Sequence, residues 1–467
     1  MNSAAQGARS LRTFLARLEA TEGEGVAYVD RQVNPVHELA AVVKRMEGDD
    51  DRTVIFTDVA GHDIPVLMNL YGSKRRIAMA LGLGPGVHPR AVMDHYLERL
   101  EHKVEPIEVD DGPVKEIVRS DGEVNLESLP IGIHAPEQGG LYINSGAMLV
   151  RDPATGAINA GIYRTMVQGP AQVTVSVDPF HDLGKVIDWG VKNQEPVPFA
   201  IVIGADPALF LASQAKLDMS HDVYGIVGSL TGEPVEVVRC TTNDLFVPAH
   251  AEIVIEGFIR PGETAAEGPY GEFSYYYGSD PDATLCQITA ITHRSKPIFA
   301  DILSTHREHR CLWLHPGREA GLLKRLEAVV PSVRSIHLPL DGAGMAALIS
   351  IDKAHEGDPR RALLATLSAD VFIKHAVIVD DEDIDIHDPA RVGWALITRF
   401  QPDRDTIVVP SLRSYSEDPS RYPGNLTSKI GYDATKPLSG FPVPADLLSA
   451  EYADLDPSEY LRNPNGS

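Results

Sequence analysis

The segment Glu267-Gly268-Pro269-Tyr270-Gly271-Glu272-Phe273 places two carboxylates on either side of a bend rich in glycine and proline. On a straight strand, side chains five residues apart point to opposite faces of the sheet. Gly268, Pro269 and Gly271 disfavour a straight strand, so we expect a bend that turns both carboxylates to one side. Two close carboxylates raise at least one pKa and provide a proton donor near neutral pH. The alternative is a surface turn that carries two solvated glutamates.

A second polar segment, Asn159-Ala160-Gly161-Ile162-Tyr163-Arg164, lies in an apolar, β-prone part of the chain. If the Arg164 side chain faces inward, it needs a carboxylate or phosphate partner, because a buried unpaired charge is costly. A strand arginine that faces water is the alternative.

Two residues near this segment have side chains that can bind metal. Asn159 precedes Arg164 by five positions, and His181 follows a predicted strand over residues 173–177. An amide oxygen, an imidazole and a carboxylate together can hold a divalent cation and, through it, phosphate oxygens. A loop histidine with ordinary hydrogen bonds is the alternative interpretation of His181.

The composition predicts a soluble protein with an acidic surface. The chain has 467 residues and a formal net charge of −24. Nucleic acids and anionic membranes bind basic surfaces, so we expect neither as a partner. No apolar run reaches the ~18 residues of a membrane span, and the three cysteines form no paired metal motif. We therefore expect a cytoplasmic protein of two or three domains.

Local sequence patterns predict an α/β (α+β) protein with three domains and a tail. Helical and strand-like runs alternate in residues 1–120, which indicates a small N-terminal α/β domain. Residues 121–300 contain many β-prone runs separated by glycine and proline, which favours a β-barrel-like domain. Alternation returns in residues 301–440, as in a C-terminal α/β domain, and residues 441–467 are typical of an extended arm.

Two helices of the predicted C-terminal domain share a start signal. Asp358-Pro359 and Asp388-Pro389 each place a capping residue before a proline at the first turn. Strand-like runs over residues 346–351, 373–379 and 406–409 lie before, between and after these helices. This order predicts a parallel sheet with crossover helices.

Several segments of the chain resemble the UbiD family, the decarboxylases that use prenylated FMN. The resemblance extends from residue 10 to residue 440, and the block over residues 232–272 is highly specific because its order and spacing do not follow from composition. The segments that carry it are Asn159–Arg164, Gly232–Cys240, Val247–Ala249, Ala251–Val254, Glu256–Gly257, Glu267–Glu272, Lys429–Gly431 and Asp433–Thr435.

The resemblance implies a central FMN-binding domain with a split β-barrel-like fold and a C-terminal domain that mediates oligomerisation. It assigns catalytic roles to Arg164, Glu267 and Glu272, with Arg164 paired to Glu267 and to the substrate carboxylate. Glu272 would protonate the carbon that CO2 leaves. The flavin phosphate would bind through a divalent metal, usually manganese, with a potassium ion nearby. The residues implied at the cofactor are Asn159, Ile162, Tyr163, Arg164, His181 and, at its phosphate, Lys429.

One position departs from the family pattern. The third metal ligand of the family is a glutamate five residues before a glycine that corresponds to Gly228, and here that position is Val223. Valine has no ligand atom, so the implied metal would need another partner. The adjacent Asp222 or His221 would take this role if the backbone shifts.

The segment over residues 302–310 is a candidate wall of the substrate pocket. It places four donors, His306, Arg307, His309 and Arg310, just beyond a predicted strand, and these would recognise polar groups of the substrate, with His306 and Arg310 as the chosen candidates. The segment resembles the branch of the family that acts on heteroaromatic acids, and the tyrosines of Tyr275–Tyr277 would add stacking surface. A polar loop without a binding role is the alternative.

The resemblance therefore predicts a non-oxidative, reversible decarboxylase of an aromatic or heteroaromatic carboxylic acid that depends on prenylated FMN. A flavin prenyltransferase would supply the cofactor, and the chain would form a homodimer or homohexamer. An FMN-dependent oxidoreductase is one alternative, although the chain has no GxGxxG fingerprint for a nicotinamide partner. A non-catalytic assembly subunit is another, which Val223 favours and which the presence of Arg164, Glu267 and Glu272 opposes.

Overall fold

A computed structural model of the chain describes residues 8–47, 50–215 and 217–442, together with Asp456 and Tyr460. The predicted arm over residues 441–467 therefore lies almost entirely outside the described residues. Within them the protein has the predicted α/β architecture, with helices packed around four sheets. No helix in this described part is long and apolar enough to span a membrane.

The N-terminal part follows the local signals of the sequence. Leu11, Phe14 and Leu18 form the buried face of the first helix, and the Ser10 side chain caps its start. The elements in this part are α1 (Leu11–Glu19), β1 (Val26–Val29), α2 (Glu38–Met46), β2 (Thr53–Phe56), β3 (Val66–Met68), α3 (Lys74–Ala80), α4 (Pro89–Arg99) and β4 (Ile107–Glu108).

The middle of the chain is dominated by strands, as its β-prone runs predict. One helix in this part, α7 (Val223–Thr231), was not predicted from the sequence. The elements are β5 (Ile117–Ser120), β6 (Tyr142–Ile143), β7 (Ala147–Arg151), β8 (Ile158–Ile162), β9 (Thr165–Gly169), β10 (Gln172–Val175), α5 (Asp182–Asn193), β11 (Val197–Ile203), α6 (Pro207–Ala212), α7 (Val223–Thr231), β12 (Glu236–Arg239), β13 (Phe246–Pro248), β14 (Ile253–Gly271), β15 (Tyr277–His293) and β16 (Phe299–Ala300).

The C-terminal part alternates between helices and strands. Its elements are α8 (Arg307–Leu314), α9 (Gly317–Val329), β17 (Val333–His337), β18 (Ala346–Ile351), α10 (Asp358–Ala369), β19 (His375–Asp380), α11 (Pro389–Arg399), α12 (Pro402–Asp405), β20 (Thr406–Arg413) and β21 (Leu426–Asp433).

The central sheet curls back on itself at a chain connection that we call the seam, Tyr163 and Arg164. Among the described residues the strand order is β6-β9-β10-β15-β14-β11-β7-β8, with β5 paired to β15. Strand β8 lies at one end and β9 next to the other end, yet only the seam connects them. The step from Ile162 to Thr165 spans at most about 11 Å, so the two ends of the sheet lie side by side. This open, curled sheet agrees with the predicted barrel-like domain, and the β-prone run around residues 159–164 is divided at the seam into β8 and β9.

Two smaller sheets flank the central one. The first has the order β1-β2-β3-β16, so a late strand completes a sheet of N-terminal strands. Strands β13, β12 and β4 form the other, in which β4 pairs parallel with β12.

The C-terminal sheet corrects the prediction of an all-parallel arrangement. Its order is β17-β18-β19-β21-β20. Strands β18 and β19 are parallel, as predicted. Strand β20 instead pairs antiparallel with β21, which lies between it and β19, and β17 is antiparallel to β18. The prediction was wrong because β17 and β21 were not recognised, and partners in a sheet are chosen by non-local contacts.

The two Asp-Pro signals mark helix starts in different ways. Asp388 caps α11, and its Oδ1 accepts from the Ala390 amide at 2.9 Å. Asp358 is instead the first residue of α10, and its carboxylate accepts from the His355 amide at 3.1 Å. The Asp358 side chain therefore stabilises the turn before its helix.

Candidate active site

Arg164 lies at the seam, where the two ends of the central sheet meet. Its Nη2 lies 3.0 Å from Glu267 Oε2, and its Nη1 donates a hydrogen bond to Glu272 Oε1. Nη2 also donates to Ser176 Oγ at 3.0 Å. The three charged groups that the sequence singles out therefore converge on one point, and we call them the Arg–Glu–Glu cluster.

The bend predicted between the two glutamates is present at the end of β14. The pairing of β14 with β15 shifts register between Glu267 and Tyr270, so side chains on the two sides of this irregularity escape simple strand alternation. Gly268 has a φ of +111°, and a Cβ there would lie 2.5 Å from Ser279 Oγ, so the position requires glycine. Glu272 follows directly after the strand. The bend thus allows both carboxylates to reach one guanidinium.

Two hydroxyl groups, that of the buried Tyr142 and that of the half-buried Ser176, hold the cluster in place. Tyr142 donates to Glu267 Oε1 at 2.6 Å. Ser176, which accepts from Arg164, donates in turn to Asp280 Oδ2 at 2.8 Å. Glu267 and Arg164 are therefore each fixed by a neighbour outside the cluster, which preorganises the site before a ligand enters.

Burial sets the charge state of the two glutamates. Glu272 is 8% exposed, and burial raises its pKa to about 7, against the lowering effect of Arg164. Burial also raises the pKa of Glu267. A carboxyl group with a pKa near the working pH can both give and take a proton, which suits Glu272 to general acid–base chemistry.

Two buried atoms of the cluster lack an aligned hydrogen-bond partner among the described residues. They are Arg164 Nε and Glu267 Oε2. Glu267 Oε2 lies 3.0 Å from Arg164 Nη2, which is an ion-pair contact but is not aligned as a hydrogen bond. Because most buried polar atoms are hydrogen bonded, these two mark a place where a ligand would complete the bonding.

A cavity of about 700 Å³ opens beside the cluster. Ligand and cofactor pockets typically have volumes of about 300–1,000 Å³, so the space suits a large cofactor. Phe273, Trp313, Phe372 and Tyr415 give it an aromatic wall. The rings of Phe372 and Tyr415 stack with centroids 3.9 Å apart, and those of Phe273 and Trp313 lie 4.6 Å apart. The cavity therefore combines flat apolar surface with a charged cluster.

Most of the predicted cofactor contacts line this cavity. Asn159 Nδ2 donates to Asp182 Oδ2 at 3.4 Å, and the ring of His181 lies 6.3 Å from that of Tyr163. An amide, an imidazole and a carboxylate are thus close together, which is a donor set that fits a divalent metal bound to phosphate. The predicted cofactor contacts on the wall are Asn159, Ile162, Tyr163, Arg164 and His181.

Val223, the position at which the chain departs from the family's pattern of metal ligands, lies in helix α7. Val223 is the first residue of that helix, is buried, and lines the cavity, as does His221. Asp222 caps the helix, with Oδ1 accepting from the Tyr224 amide at 2.9 Å and Oδ2 from the Ile158 amide at 2.8 Å. Asp222 is not among the described residues that line the cavity, and its role as a metal ligand stays a prediction.

Lys429 lies away from the cavity wall in the described part of the chain. Its ammonium donates to the carbonyl oxygens of Leu367 at 2.9 Å and Asp370 at 2.7 Å. Burial lowers the pKa of Lys429 to about 8. Its contact with a flavin phosphate stays a prediction.

The candidate substrate segment is helical, and this changes which of its side chains face the cavity. His306 caps α8 by accepting from the Glu308 amide at 3.2 Å, and Arg310 Nη2 donates to Tyr275 Oη at 2.5 Å. Neither is among the described residues on the wall. His309 and Trp313, one helical turn apart, line it instead. The sequence interpretation did not predict the helix over residues 307–314 and so missed this spacing.

Other residues beside the cluster and the cavity could not be identified from local sequence patterns. No motif surrounds three of them, Tyr142, Phe372 and Tyr415, and they lie outside the segments over residues 159–164 and 267–273. They reach the site because β6, the loop before β19 and the loop after β20 meet there.

The chain matches family models along most of its length. Residues 106–306 match the Rift-related domain of the 3-octaprenyl-4-hydroxybenzoate carboxy-lyase family, UbiD. Residues 18–100 match its N-terminal domain, and residues 312–434 match its C-terminal domain.

Individual proteins give the same result. The UbiD-class enzyme HmfF from Pelotomaculum thermopropionicum, solved in complex with FMN, is 35% identical, with a TM-score of 0.89 over 97% of this chain and 100% of that one. An evolved dimeric form of HmfF, solved with prenylated FMN, is 34% identical, with a TM-score of 0.85 and the same coverage. Anhydromevalonate phosphate decarboxylase from Methanothermobacter thermautotrophicus is 32% identical over 434 residues, covering 92% of this chain and 97% of the relative. The chain therefore belongs to the UbiD family of decarboxylases and is a carboxy-lyase.

Proposed function

We propose that this protein catalyses the non-oxidative, reversible decarboxylation of an aromatic or heteroaromatic carboxylic acid with prenylated FMN as its cofactor. The observation that carries the proposal is the Arg–Glu–Glu cluster, of which Arg164 and Glu272 line the 700 Å³ cavity. It combines a cation for the substrate carboxylate with a carboxyl group that titrates near neutral pH. HmfF, which binds FMN and prenylated FMN, supports the cofactor assignment.

Arg164 binds and orients the substrate carboxylate. Its buried Nε has no hydrogen-bond partner among the described residues, so a donor is available for an incoming carboxylate. A guanidinium can bind a carboxylate through two parallel hydrogen bonds, which fixes the plane of the leaving group. When the substrate binds there, Arg164 exchanges part of its contact with Glu272. Glu267, held by Tyr142, keeps the guanidinium in position.

Glu272 provides the proton. Loss of CO2 breaks a carbon–carbon bond, and the carbon left behind takes the proton from the Glu272 carboxyl group. The carboxylate then regains a proton from solvent. In the direction of carboxylation, the same carboxylate accepts the proton that the substrate carbon loses. The cofactor, when bound, supplies the electron sink that an sp2 carbon needs when CO2 leaves it.

Asn159 and His181 would hold the flavin phosphate through a divalent metal, manganese, with potassium nearby. Their position on the cavity wall, beside Asp182, supports this assignment. Asp222 is the proposed third ligand, and it would have to give up a backbone hydrogen bond to serve. Lys429 would reach the phosphate only after its present carbonyl contacts break.

The aromatic wall supports a flat substrate. Phe273, Trp313 and Phe372 can stack on an aromatic or heteroaromatic ring, and His309 adds a polar group to the same wall. Burial lowers the pKa of His309 to about 4, so this ring is neutral at pH 7 and can donate or accept one hydrogen bond. His306 caps α8, the helix that carries His309 and Trp313, and would support the wall through this helix.

A homodimer or homohexamer formed through the C-terminal part is the proposed assembly. Ile397 on α11 is 85% exposed and Val408 on β20 is 60% exposed. Large apolar side chains with this exposure on neighbouring elements favour a subunit contact.

Activity can be tested on protein produced together with a flavin prenyltransferase. We expect CO2 and the decarboxylated product from at least one member of a panel of aromatic and heteroaromatic acids. A phosphorylated, unsaturated aliphatic acid belongs in the panel, because the Methanothermobacter relative is an anhydromevalonate phosphate decarboxylase. Protein produced without the prenyltransferase is the matched control and should be inactive.

Two outcomes would contradict the proposal. Turnover of the aliphatic acid only would keep the decarboxylase and reject the aromatic substrate class. Oxidation of NAD(P)H by protein that carries unmodified FMN, without CO2 release, would instead support the oxidoreductase alternative.

A further inference from the structure

A second group of metal-binding side chains lies outside the cavity, where α8, α9 and β17 meet. The two carboxylate oxygens of Glu319 each contact one histidine. Oε2 lies 2.8 Å from His315 Nδ1, and Oε1 lies 2.8 Å from His337 Nδ1. One atom from each of the three side chains lies within 4.8 Å of the others. The three residues, which we call the His–Glu–His cluster, are buried and do not line the cavity beside Arg164.

Hydrogen bonding does not account for all the nitrogen atoms in this cluster. His315 is 5% exposed, and its Nε2 has no hydrogen-bond partner among the described residues. The ring of His387 lies 4.4 Å from that of His337, and both of its nitrogens are buried without a partner in the same described part. Two imidazoles near the Glu319 carboxylate, those of His315 and His387, therefore have unused nitrogens, which indicates a bound group that would complete their bonding.

The dimensions suit a small tetrahedral ion. Zinc binds imidazole nitrogen and carboxylate oxygen at about 2.0–2.2 Å, so ligand atoms around it are about 3.3 Å apart. The observed nitrogen–oxygen separations of 2.8 Å need only a small expansion to reach this value. The His387 ring, with its centroid 4.4 Å from that of His337, is the nearby candidate for a fourth ligand.

The charges around the cluster are mixed. Glu319 provides a buried negative charge, and Asp385 lies 3.7 Å from His88, whose ring is 5.3 Å from that of His387. The positive charge of Lys74 also reaches His315 and opposes a cation. Imidazole and carboxylate ligands together are preferred by zinc and related transition metals over magnesium or calcium.

We propose that His315, Glu319 and His337 form a binding site for a divalent transition metal of the zinc type, separate from the flavin site. Such an ion would connect the start of α9 to the end of β17, so its role would be structural. Because His315 directly follows α8, such a connection would fix the C-terminal sheet against this helix, which carries His309 and Trp313.

The test uses the full chain, freed of metal with a chelator and then titrated with zinc chloride or cobalt chloride. We expect the wild-type protein to bind one more equivalent of zinc than Glu319→Gln, and its cobalt form to show the visible absorption of tetrahedral cobalt. Loss of an outer partner of a metal ligand reduces affinity about 10- to 100-fold. Removal of a direct ligand in Glu319→Gln or His337→Gln should therefore reduce affinity by more than about 100-fold.

Glu327→Gln is the matched control, because Glu327 is an exposed glutamate on the same helix. It should bind zinc like the wild type. Equal zinc binding in all variants would overturn the proposal, since the metal would then occupy another site. Absence of zinc and cobalt binding by the wild-type protein would also overturn it, whether or not a variant folds. Zinc content does not depend on decarboxylation, so this result is independent of the proposed function.

Discussion

Glu267 and Glu272 share one guanidinium but differ in their other contacts. Glu267 accepts from Tyr142 at 2.6 Å, a bond that stabilises its carboxylate. Glu272 depends on Arg164 for its charge, and burial raises its pKa to about 7. At the scale of single residues, this difference supports the proposed roles, positioning for Glu267 and proton transfer for Glu272.

Glu272→Gln tests the proton donor. The amide keeps the size of the side chain but cannot supply a proton, so we expect turnover to fall by at least about 100-fold. Bound flavin, measured by its absorption spectrum, should be unchanged. Glu263→Gln, which alters an exposed glutamate on the same strand, should retain full activity. Full activity in Glu272→Gln would reject the role.

Arg164→Lys tests the carboxylate-binding group. Lysine keeps the charge but presents a point donor, so it cannot contact two glutamates and a substrate carboxylate together. We expect kcat to fall about 100- to 1,000-fold, as when one preorganised donor is lost from an active site. Arg239→Lys, an exposed arginine on β12, is the control. A change confined to KM would contradict the assignment.

The pH dependence of decarboxylation follows from the raised pKa of Glu272. A proton donor acts only in its protonated form, and that form decreases as the pH rises through about 7. We therefore expect kcat/KM for decarboxylation to decrease above about pH 7. Steady-state rates from pH 5 to 9 would check this, and a rate that rises steadily across this range would exclude Glu272 as the donor.

At the scale of single elements, short-range signals explain where helices begin. Asp388 is followed by proline and caps α11, with its Oδ1 accepting from two backbone amides, those of Ala390 at 2.9 Å and Arg391 at 3.3 Å. The same dipeptide at Asp358 acts one turn earlier. The position that each Asp-Pro pair stabilises therefore depends on which backbone amides its carboxylate can reach.

Asp388→Ala should weaken the C-terminal part of the protein. Loss of an N-cap side chain costs about 0.5–2 kcal/mol, so the urea midpoint of its unfolding should decrease. Asp94→Ala, an exposed aspartate within α4, removes the same group from a helix interior and should not lower the midpoint. An equal decrease in both variants would show that the cap contributes nothing.

At the scale of the whole molecule, the cavity is formed by parts of the chain that are distant in sequence. The seam and β14 supply the Arg–Glu–Glu cluster, whereas Phe372 and Tyr415 come from loops of the C-terminal part. The ring of Tyr415 stacks on Phe372 at 3.9 Å and lies 6.0 Å from that of His181. Flavin binding should therefore depend on contacts between the central and C-terminal parts.

Tyr415→Ala should weaken flavin binding. Loss of one aromatic stacking contact costs about 0.5–1.5 kcal/mol, so the dissociation constant for FMN should rise about 2- to 10-fold. Fluorescence titration of the flavin-free protein would measure it. Tyr422→Ala, which removes an exposed tyrosine away from the cavity, should bind FMN like the wild type. The same constant for both variants would exclude Tyr415 from the flavin site.

The amino-acid sequence by itself determined much of the local structure and the identity of the charged groups. Helix α1 follows from apolar spacing and Ser10, because these signals act within a few residues. The bend between Glu267 and Glu272 follows from glycine and proline in the same way. The resemblance of several segments to the UbiD family was also readable from the sequence, and the family models confirm it.

Only the tertiary structure decided which of these groups meet. It placed Arg164 at the seam, used both oxygens of Asp222 to cap α7 and bind Ile158, and turned His309 rather than His306 or Arg310 toward the cavity. It also made β20 antiparallel to β21. Contacts between residues far apart in the chain decide the pairing of Arg164 with the two glutamates, of Asp222 with Ile158 and of β20 with β21. Local spacing carries no information about such partners.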